Sequence, residues 1–215
     1  MKVVLIRGDY LDQTSYLLCF GKDCLLFDIG MNYAVLQRYL QENNLVLHGV
    51  FLTHGHFDHA WGAADAQAQG VKIYGSENGY IITQTNRNLG AFMGASMKRF
   101  ISDVLLKEGD TISFPFAEVT AYYTPGHTVD GMCFSVEDVL IGGDTFCAED
   151  GFGRADFPTG NFEDLATNLN RIVKTLPPTT KVLYGHESNA PADRFVPFTP
   201  QSTLKDAAIA YCLGV

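Results

Sequence analysis

The chain has 215 residues, of which 47% are hydrophobic, so residues 1–215 are long enough to bury the core of one domain. The formal net charge of −9 argues against nucleic acid as the main partner, because phosphate binding needs clustered Lys and Arg. No apolar run reaches the roughly 18 residues that a membrane-spanning helix needs, and the N-terminus lacks a secretory pattern. We therefore expect a cytoplasmic protein without a membrane partner.

The five cysteines, at positions 19, 24, 133, 147 and 212, are odd in number and contain no Cys-x-x-Cys pair. Most of them lie inside apolar runs, so we interpret them as small core residues with reduced thiols. Cys147 follows Asp144 by three residues, and a reactive thiol near a functional site is the alternative interpretation for it.

The first third of the chain alternates strand-forming runs with amphipathic helical patterns. The predicted strands are residues 3–6, 15–20, 24–27, 47–52 and 71–74. Asn32 is the expected N-cap of a helix that ends near Glu42. A second helix is expected to begin at His59 or Ala60 and to end at Gly70.

The pattern weakens between residues 76 and 107, where we expect one or two short helices and a loop beside the functional site. A later helix is expected to begin at Asn161 or Phe162 and to end before Pro177. The remaining predicted strands are residues 111–114, 118–123, 132–136, 139–141 and 181–184, followed by a loop at 191–200 and a helix at 202–213.

The densest chemical signal is THGHFDH at residues 53–59, directly after a predicted strand. Imidazole and carboxylate groups suit Zn²⁺ and similar first-row metals, and the segment has none of the thiolates of a closed structural zinc site. His54 and His56 alternate around a glycine, so both can point to one side, while Asp58 and His59 add further donors. One metal ion cannot easily use four donors this close in sequence, but two adjacent ions can.

Further candidate ligands follow at the ends of later predicted strands. They are His127 in TPGHT, Asp144 in GGDT and His186 in YGH. The sixth histidine, His48, lies in no such context, so we interpret it as a surface residue or one satisfied by a local partner. Asp28 ends a strand, and the residues alone fit a simple turn as well as a supporting role.

The order HxHxDH, TPGHT, GDT after a strand and GH after a late strand resembles the metallo-β-lactamase superfamily across the whole chain. Within it, LKEGD at residues 106–110 and GRADFP at residues 153–158 resemble the short glyoxalase-II-like, or hydroxyacylglutathione hydrolase-like, hydrolases. The resemblance implies an α/β fold, the αββα four-layer sandwich of this superfamily.

The resemblance also implies which ion each candidate ligand holds. The first ion would be held by His54, His56 and His127. The second ion would be held by Asp58, His59 and His186, and Asp144 would bridge the two ions. Two divalent ions, zinc first with iron or manganese as alternatives, would share a hydroxide that attacks the substrate while Asp58 relays the proton. In this superfamily, the residue that matches Asp28 supports the metal loops from behind.

Within the superfamily, the presence of His59 favours a two-metal thioesterase, lactonase or nuclease type, and the resemblance to glyoxalase II implies the hydrolysis of a small thioester or ester. Lactam-cleaving relatives commonly lack the residue that matches His59, and oxygen-reducing relatives have Glu where His56 stands. Two features argue against S-lactoylglutathione as the substrate. The tail after His186 is short for a glutathione-binding helical domain, and Glu187 stands where short relatives usually have glycine.

Two alternatives come from other functional classes. A mono-iron persulfide dioxygenase would use only the ligands His54, His127 and Asp144. A metal-binding protein without turnover would use the full set of seven ligands. Five cations between the first two metal motifs are interpreted as a solvated face, with attraction of an anionic substrate as the alternative. They are Lys72, Arg87, Lys98, Arg99 and Lys107. The expected partner is a small-molecule substrate, and the sequence leaves the oligomeric state unknown.

Overall fold

The fold is built on two β-sheets whose facing surfaces enclose an apolar core. The computed structural model describes residues 1–147, 152–187 and 193–210, and for 209 and 210 only the backbone. The expected ends of the last helix, at residues 211–213, and Cys212 lie outside the described residues.

The first sheet has seven strands in the order β12-β1-β2-β3-β4-β5-β6. They are β1 (Lys2–Arg7), β2 (Thr14–Phe20), β3 (Asp23–Phe27), β4 (Val46–Phe51), β5 (Ile73–Ser76), β6 (Val104–Leu106) and β12 (Phe195–Phe198). Strands β12, β1, β2 and β3 pair antiparallel, whereas β3 to β6 pair parallel.

The second sheet has five strands in the order β11-β10-β9-β8-β7. They are β7 (Thr111–Phe114), β8 (Ala117–Tyr123), β9 (Met132–Val136), β10 (Val139–Gly143) and β11 (Lys181–Tyr184). Its strands pair antiparallel except β10 and β11, which pair parallel and are joined by a crossover that contains the helix Phe162–Thr175.

The helices cover the outer faces of both sheets. They are α1 (Tyr33–Glu42), α2 (Phe57–Ala60), α3 (Ala63–Ala68), α4 (Tyr80–Thr83), α5 (Phe162–Thr175) and α6 (Leu204–Ala210), with 3₁₀ turns at Asn86–Asn88 and Ala91–Met93. The strands alternate accordingly: Leu5 packs between the sheets, whereas Ile6 packs with α1. On the far side, α5 and α6 pack against β10 and β11. The four-layer αββα arrangement is therefore confirmed.

The prediction of one continuous helix from residue 59 or 60 to Gly70 was wrong. The structure has two helices, and the first begins earlier, at Phe57. The break falls at Gly62, which packs so close to the loop after β3 that an added Cβ would meet the Met31 carbonyl oxygen at 2.3 Å. This close packing brings the helix pair against residues 29–31 and fixes the segment that carries the histidines.

Two strands were missed. β6 lies in the weakly patterned stretch 76–107, and β12 lies in the predicted loop 191–200. β12 contains Pro197, which has no N–H to donate, and β12 is tolerated as a strand because it lies at the edge of its sheet beside β1.

The expectation of reduced core thiols was wrong for two cysteines. Cys19 and Cys24 are cross-strand neighbours in the β2–β3 hairpin and form a disulfide, with their Cα atoms 4.3 Å apart. Their cysteine context therefore lends no support to a cytoplasmic location, which stays a prediction. Among the residues that the structure describes, no helix is long and apolar enough to cross a membrane.

Candidate metal centre

Four strand ends meet at one edge of the sandwich and deliver the polar side chains there. Strand β4 leads into His54 and His56, β8 into His127, β10 into Asp144 and β11 into His186. Helix α2 begins at Phe57 and therefore carries Asp58 and His59 in its first turn. The loop after β4 and the first turn of α2 are adjacent in space, so the two halves of the motif face one cluster.

The first three histidines form one group of donors. His54 Nε2 lies 3.0 Å from His56 Nδ1, and His127 Nε2 lies 3.1 Å from the same atom. All three side chains are buried. Ligands at zinc–nitrogen distances of 2.0–2.1 Å lie about 3.3 Å apart in a tetrahedral site, so this spacing suits a single ion.

Asp58, His59 and His186 form a second group. His59 Nε2 lies 3.3 Å from His186 Nε2, and Asp58 Oδ2 lies 3.6 Å from His186 Nε2 and 3.9 Å from His59 Nε2. Asp144 lies between the groups: its Oδ1 is 3.1 Å from His59 Nε2, and its Oδ2 is 3.4 Å from His127 Nε2. All seven predicted ligands are thus brought together, while their binding of metal stays a prediction.

Four of the five rings are oriented by a partner on the side away from the cluster. His127 Nδ1–H donates to the Arg154 carbonyl oxygen at 2.6 Å, and His186 Nδ1–H donates to the Leu11 carbonyl oxygen at 2.9 Å. His54 Nδ1 lies 3.1 Å from Thr53 Oγ1. Because Nδ1 carries the proton on such rings, the Nε2 lone pair faces the cluster, as a metal ligand requires.

The remaining outer partner is Asp28, which lies behind the cluster as the resemblance implied. Its Oδ2 accepts from His59 Nδ1–H at 2.8 Å, and its two oxygens also accept from the N–H and hydroxyl groups of Thr53. His48, the sixth histidine, lies elsewhere and pairs with Asp23 at 2.8 Å, as expected for a locally satisfied residue.

Burial and neighbouring charges shift the pKa values of the two donor groups in different directions. Burial lowers the pKa of His54 and His56 well below the ordinary value, and it also lowers that of His127. Burial opposes the charge of His59, but the carboxylates of Asp144, Asp28 and Asp58 outweigh it and hold its pKa well above the ordinary value. The first group of histidines is therefore neutral, with lone pairs available to a cation.

The donor set fits divalent metal ions. Asp144 Oδ1 is buried and has no hydrogen-bond partner among the described residues, although it faces His59. Burial opposes ionisation of Asp144, but the neighbouring His59 and His186 outweigh it and keep its pKa well below the ordinary value. A buried, ionised carboxylate between two groups of imidazole nitrogens suits a bridging ligand of two cations.

A cavity of about 640 Å³ opens onto the cluster. His56, Asp58, His127, Asp144 and His186 form its floor, and apolar side chains form much of its walls. This volume lies within the range of small-molecule sites, so a substrate-sized molecule can reach the donors.

Sequence reasoning did not find several residues that shape the site. The carbonyl groups of Leu11 and Arg154 orient two of the histidines, and nothing in a sequence marks a backbone acceptor. Gly185 precedes His186, and an added Cβ there would lie 2.1 Å from Asp144 Oδ1. A glycine directly before a ligand histidine occurs here and at Gly126, and this repeated pattern could have revealed the role of Gly185 from the sequence.

Comparison with known proteins places the whole motif set in one family. The model of the metallo-beta-lactamase superfamily matches residues 8–186. The chain is 30% identical over 183 residues to the probable metallo-hydrolase YqgX of Bacillus subtilis (strain 168), covering 82% of this chain and 85% of the relative. It is 25% identical over 177 residues to hydroxyacylglutathione hydrolase 1 of Vibrio vulnificus (strain YJ016), covering 82% of this chain and 63% of that protein.

A solved structure extends this likeness to the fold. The crystal structure of TTHA1623 in a di-iron-bound form has a TM-score of 0.76 and 25% identity, and it covers 94% of this chain and 95% of its own. The family match includes all seven candidate ligands, from His54 to His186. This chain therefore belongs to the metallo-beta-lactamase superfamily.

Proposed function

We propose that the protein is a metal-dependent hydrolase that cleaves a small thioester or ester. The observation that carries the proposal is the collection of seven donors into two adjacent groups around Asp144. The reaction adds water across the acyl–sulfur or acyl–oxygen bond, so the acyl carbon gains the hydroxyl group and the departing sulfur or oxygen gains the proton. Divalent ions, when bound, supply Lewis acidity and lower the pKa of water to about 7.

The chain's own residues hold the donors and move the proton. Asp58 faces the cavity, and burial raises the pKa of its carboxyl, which favours the uptake of a proton there. Asp28 and the Arg154 carbonyl oxygen fix the rings of His59 and His127. The rings of His54, His59, His127 and His186 need little reorganisation at the moment of reaction, because hydrogen-bond partners set their orientation before a substrate arrives.

The relatives support the chemical class. The Bacillus subtilis relative is a probable metallo-hydrolase, and the Vibrio vulnificus relative is a hydroxyacylglutathione hydrolase. A further relative at 30% identity over 165 residues is a probable zinc-dependent hydrolase of polyketide biosynthesis, BaeB of Bacillus velezensis. Zinc is accordingly the ion that we propose first, with two ions per chain and with iron or manganese as alternatives.

The partner that we propose is a small molecule, neither nucleic acid nor membrane. The net charge of −9 and the cavity beside the donors support this assignment.

Turnover tests the proposal. Protein stripped by a chelator and reloaded separately with Zn²⁺, Mn²⁺ or Fe²⁺ is assayed with acetyl and butanoyl thioesters of N-acetylcysteamine and with p-nitrophenyl acetate. We expect turnover only after reloading and a loss of at least about a hundredfold in His127→Ala. His48→Ala removes a histidine outside the cluster and is the matched control. Absence of turnover with every metal and every substrate would contradict the hydrolase proposal.

One observation favours a second candidate, a mono-iron persulfide dioxygenase. His54, His127 and Asp144 lie in one cluster, and two histidines with one carboxylate are a ligand set of non-haem Fe(II) oxygenases. The hydrolase is preferred because such an enzyme leaves four of the seven donors without a use, and these are His56, Asp58, His59 and His186. Oxygen consumption with glutathione persulfide by the iron-loaded protein, without thioester turnover, would favour the dioxygenase.

A further inference from the structure

The cavity beside the candidate metal centre has walls that are largely apolar. Large apolar side chains from four separate segments line it, and they are Leu11, Phe57, Leu89, Phe92, Met93, Phe152 and Phe157. The polar donors are confined to the floor. A ligand that reaches the donors must therefore place most of its remaining surface against hydrocarbon.

Two of these side chains stand at the mouth of the cavity and are exposed to water. Phe92 is 83% exposed and Met93 is 48% exposed, and both belong to the 3₁₀ turn Ala91–Met93. Leu11, on the loop between β1 and β2, is 52% exposed. Apolar surface held in water beside a cavity favours an apolar ligand, because the ligand removes both surfaces from water.

The charges of the cavity do not favour an anion. Arg154 is the only lysine or arginine among the described lining residues, and its guanidinium is already bound to Asp156 by two hydrogen bonds of 2.8 and 2.6 Å. The guanidinium also stacks on Phe157, at 4.5 Å from the ring centroid. The carboxyl groups of Asp12 and Glu187 lie in the same lining.

The cations that could have attracted an anionic substrate lie elsewhere. All five lysine and arginine side chains between the first two metal motifs are exposed, and none of them lines the cavity. They are Lys72, Arg87, Lys98, Arg99 and Lys107. Lys98 pairs with Asp65, and Lys107 lies 3.4 Å from Glu77. The positions of these five side chains therefore fit the interpretation that they form a solvated face.

We propose that the substrate is an uncharged thioester or ester with an apolar acyl group, and that the cavity disfavours anionic carriers such as glutathione and coenzyme A. Phe92 and Met93 are the residues that set the preference for acyl length. This inference rests on the proposed function for the bond that is cleaved. It deepens that proposal by naming the chemical class on either side of the bond.

Binding without turnover is the first test. The zinc-loaded protein is titrated calorimetrically with two uncleavable thioethers, S-octyl-N-acetylcysteamine and S-octylglutathione, which share the alkyl chain and differ in charge. We expect the uncharged thioether to bind at least tenfold more tightly. Equal affinity, or tighter binding of the glutathione compound, overturns the inference whatever the protein hydrolyses.

Turnover is the second test. Acetyl, butanoyl, hexanoyl and octanoyl thioesters of N-acetylcysteamine should show kcat/KM that rises at least tenfold along the series. Phe92→Ala should reduce the octanoyl-to-acetyl ratio roughly fivefold, because less apolar surface is buried with the longer chain. Ile101→Ala is the control, since Ile101 is 55% exposed and does not line the cavity. A flat series in the wild type, or equal effects of both variants, overturns the inference.

The role of charge has its own variant. Asp156→Asn releases the Arg154 guanidinium, so affinity for S-octylglutathione should rise several-fold while that for the uncharged thioether stays within twofold. An unchanged ratio of the two affinities counts against the inference. Failure of the parent proposal is distinguishable, because it shows as selective binding of the uncharged thioether without hydrolysis of any thioester.

Discussion

The Asp28 carboxylate accepts a hydrogen bond from His59 Nδ1–H at 2.8 Å, and both side chains are almost completely buried. The same carboxylate accepts from the N–H of Thr53 at 2.7 Å and from its hydroxyl group at 2.8 Å. Thr53 Oγ1 in turn lies 3.1 Å from His54 Nδ1. One carboxylate therefore orients a ring of the second donor group directly and a ring of the first through Thr53.

Replacing this carboxylate should weaken the binding of metal. Asp28→Asn keeps the shape of the side chain but removes its negative charge. In the wild type this charge holds the His59 ring in place and makes the ring more basic. We expect metal affinity to fall by about tenfold to a hundredfold, measured by competition with a chromophoric chelator. Because the variant also loses one of the two oxygens that accept from Thr53, its circular dichroism spectrum is compared with that of the wild type.

Asp23→Asn is the matched control for this change. Asp23 pairs with His48 at the same distance, 2.8 Å, but in the hairpin region away from the cluster. Metal affinity should be unchanged in this variant. A similar loss in both variants would show that the effect of Asp28 is a general loss of stability.

Removal of His59 should separate the two donor groups. His59→Ala deletes a nitrogen that lies 3.3 Å from His186 Nε2 and 3.1 Å from Asp144 Oδ1, whereas the group of His54, His56 and His127 is intact. We expect elemental analysis to give two metal ions per chain in the wild type and about one in the variant. One ion in both proteins would instead agree with a mononuclear site.

The donors of this site can be found in the sequence because five of them follow strand ends and the other two, Asp58 and His59, come directly after the first pair in the same short motif. His54 and His56 follow β4 of the first sheet and His127 follows β8 of the second, and the carboxyl-terminal ends of both strands lie at one edge of the sandwich. The motif order supplied the αββα arrangement and the pairing of donors into two groups. Periodicity alone predicted most strands of both sheets, but it did not predict how the sheets pack.

The parts that the sequence did not reveal depend on tertiary contacts. Strand β6 has only three residues, and its pairing with β5 exists because residues 76–103 return to the sheet. Strand β12 contains Pro197, which argues against a strand unless the edge position is known. The apolar cavity wall at Leu89, Phe92 and Met93 lies in a segment with no regular period, so its role could only be read from the structure.

Gly185 should be intolerant of a side chain. An added Cβ would lie 2.1 Å from Asp144 Oδ1 and 2.9 Å from His59 Cε1, so these two side chains must move. A displacement of about 1 Å among reacting groups lowers rates by about a hundredfold, and we expect Gly185→Ala to lose that much kcat/KM. Metal content of the purified variant should fall as well.

Gly70→Ala gives the comparison for that variant. Gly70 has φ of +85°, so alanine there is strained, but no heavy atom lies within 4 Å of the added Cβ. Both variants should therefore lose stability in chemical denaturation, and only Gly185→Ala should lose metal and activity. Full metal content in Gly185→Ala would contradict the crowding argument.

The Cys19–Cys24 bond should be detectable by counting thiols. The chain has five cysteines, and the bond removes two, so protein denatured without reductant should react with three equivalents of a thiol reagent. The bond closes a short loop and should contribute about 2 kcal/mol to the free energy of unfolding in the chain-entropy model. Cys19→Ser with Cys24→Ser measures this contribution. Five reactive thiols before reduction would show that the bond is absent in solution.

Asp130 should make stability depend on pH. It is 2% exposed, and its Oδ1 has no hydrogen-bond partner among the described residues. Burial raises its pKa from the ordinary 3.8 to about 7. Between these values the folded protein holds a proton at Asp130 that the unfolded chain has released. The free energy of unfolding therefore falls as the pH rises through this window and levels off above it, by at most about 1.4 kcal/mol per pH unit.

Asp130→Asn removes this titration and should remove its share of the pH dependence. The test is urea denaturation of wild type and variant from pH 4 to pH 8.5 in the presence of a chelator, so that proton release by metal binding does not contribute. The difference in the free energy of unfolding, wild type minus variant, should fall between about pH 4 and pH 7 and then stay constant. Asp138→Asn, which changes a carboxylate whose side chain is 61% exposed, should give a nearly constant difference over the same range. A constant difference for Asp130→Asn would mean that its carboxyl is ionised in the folded protein throughout this window.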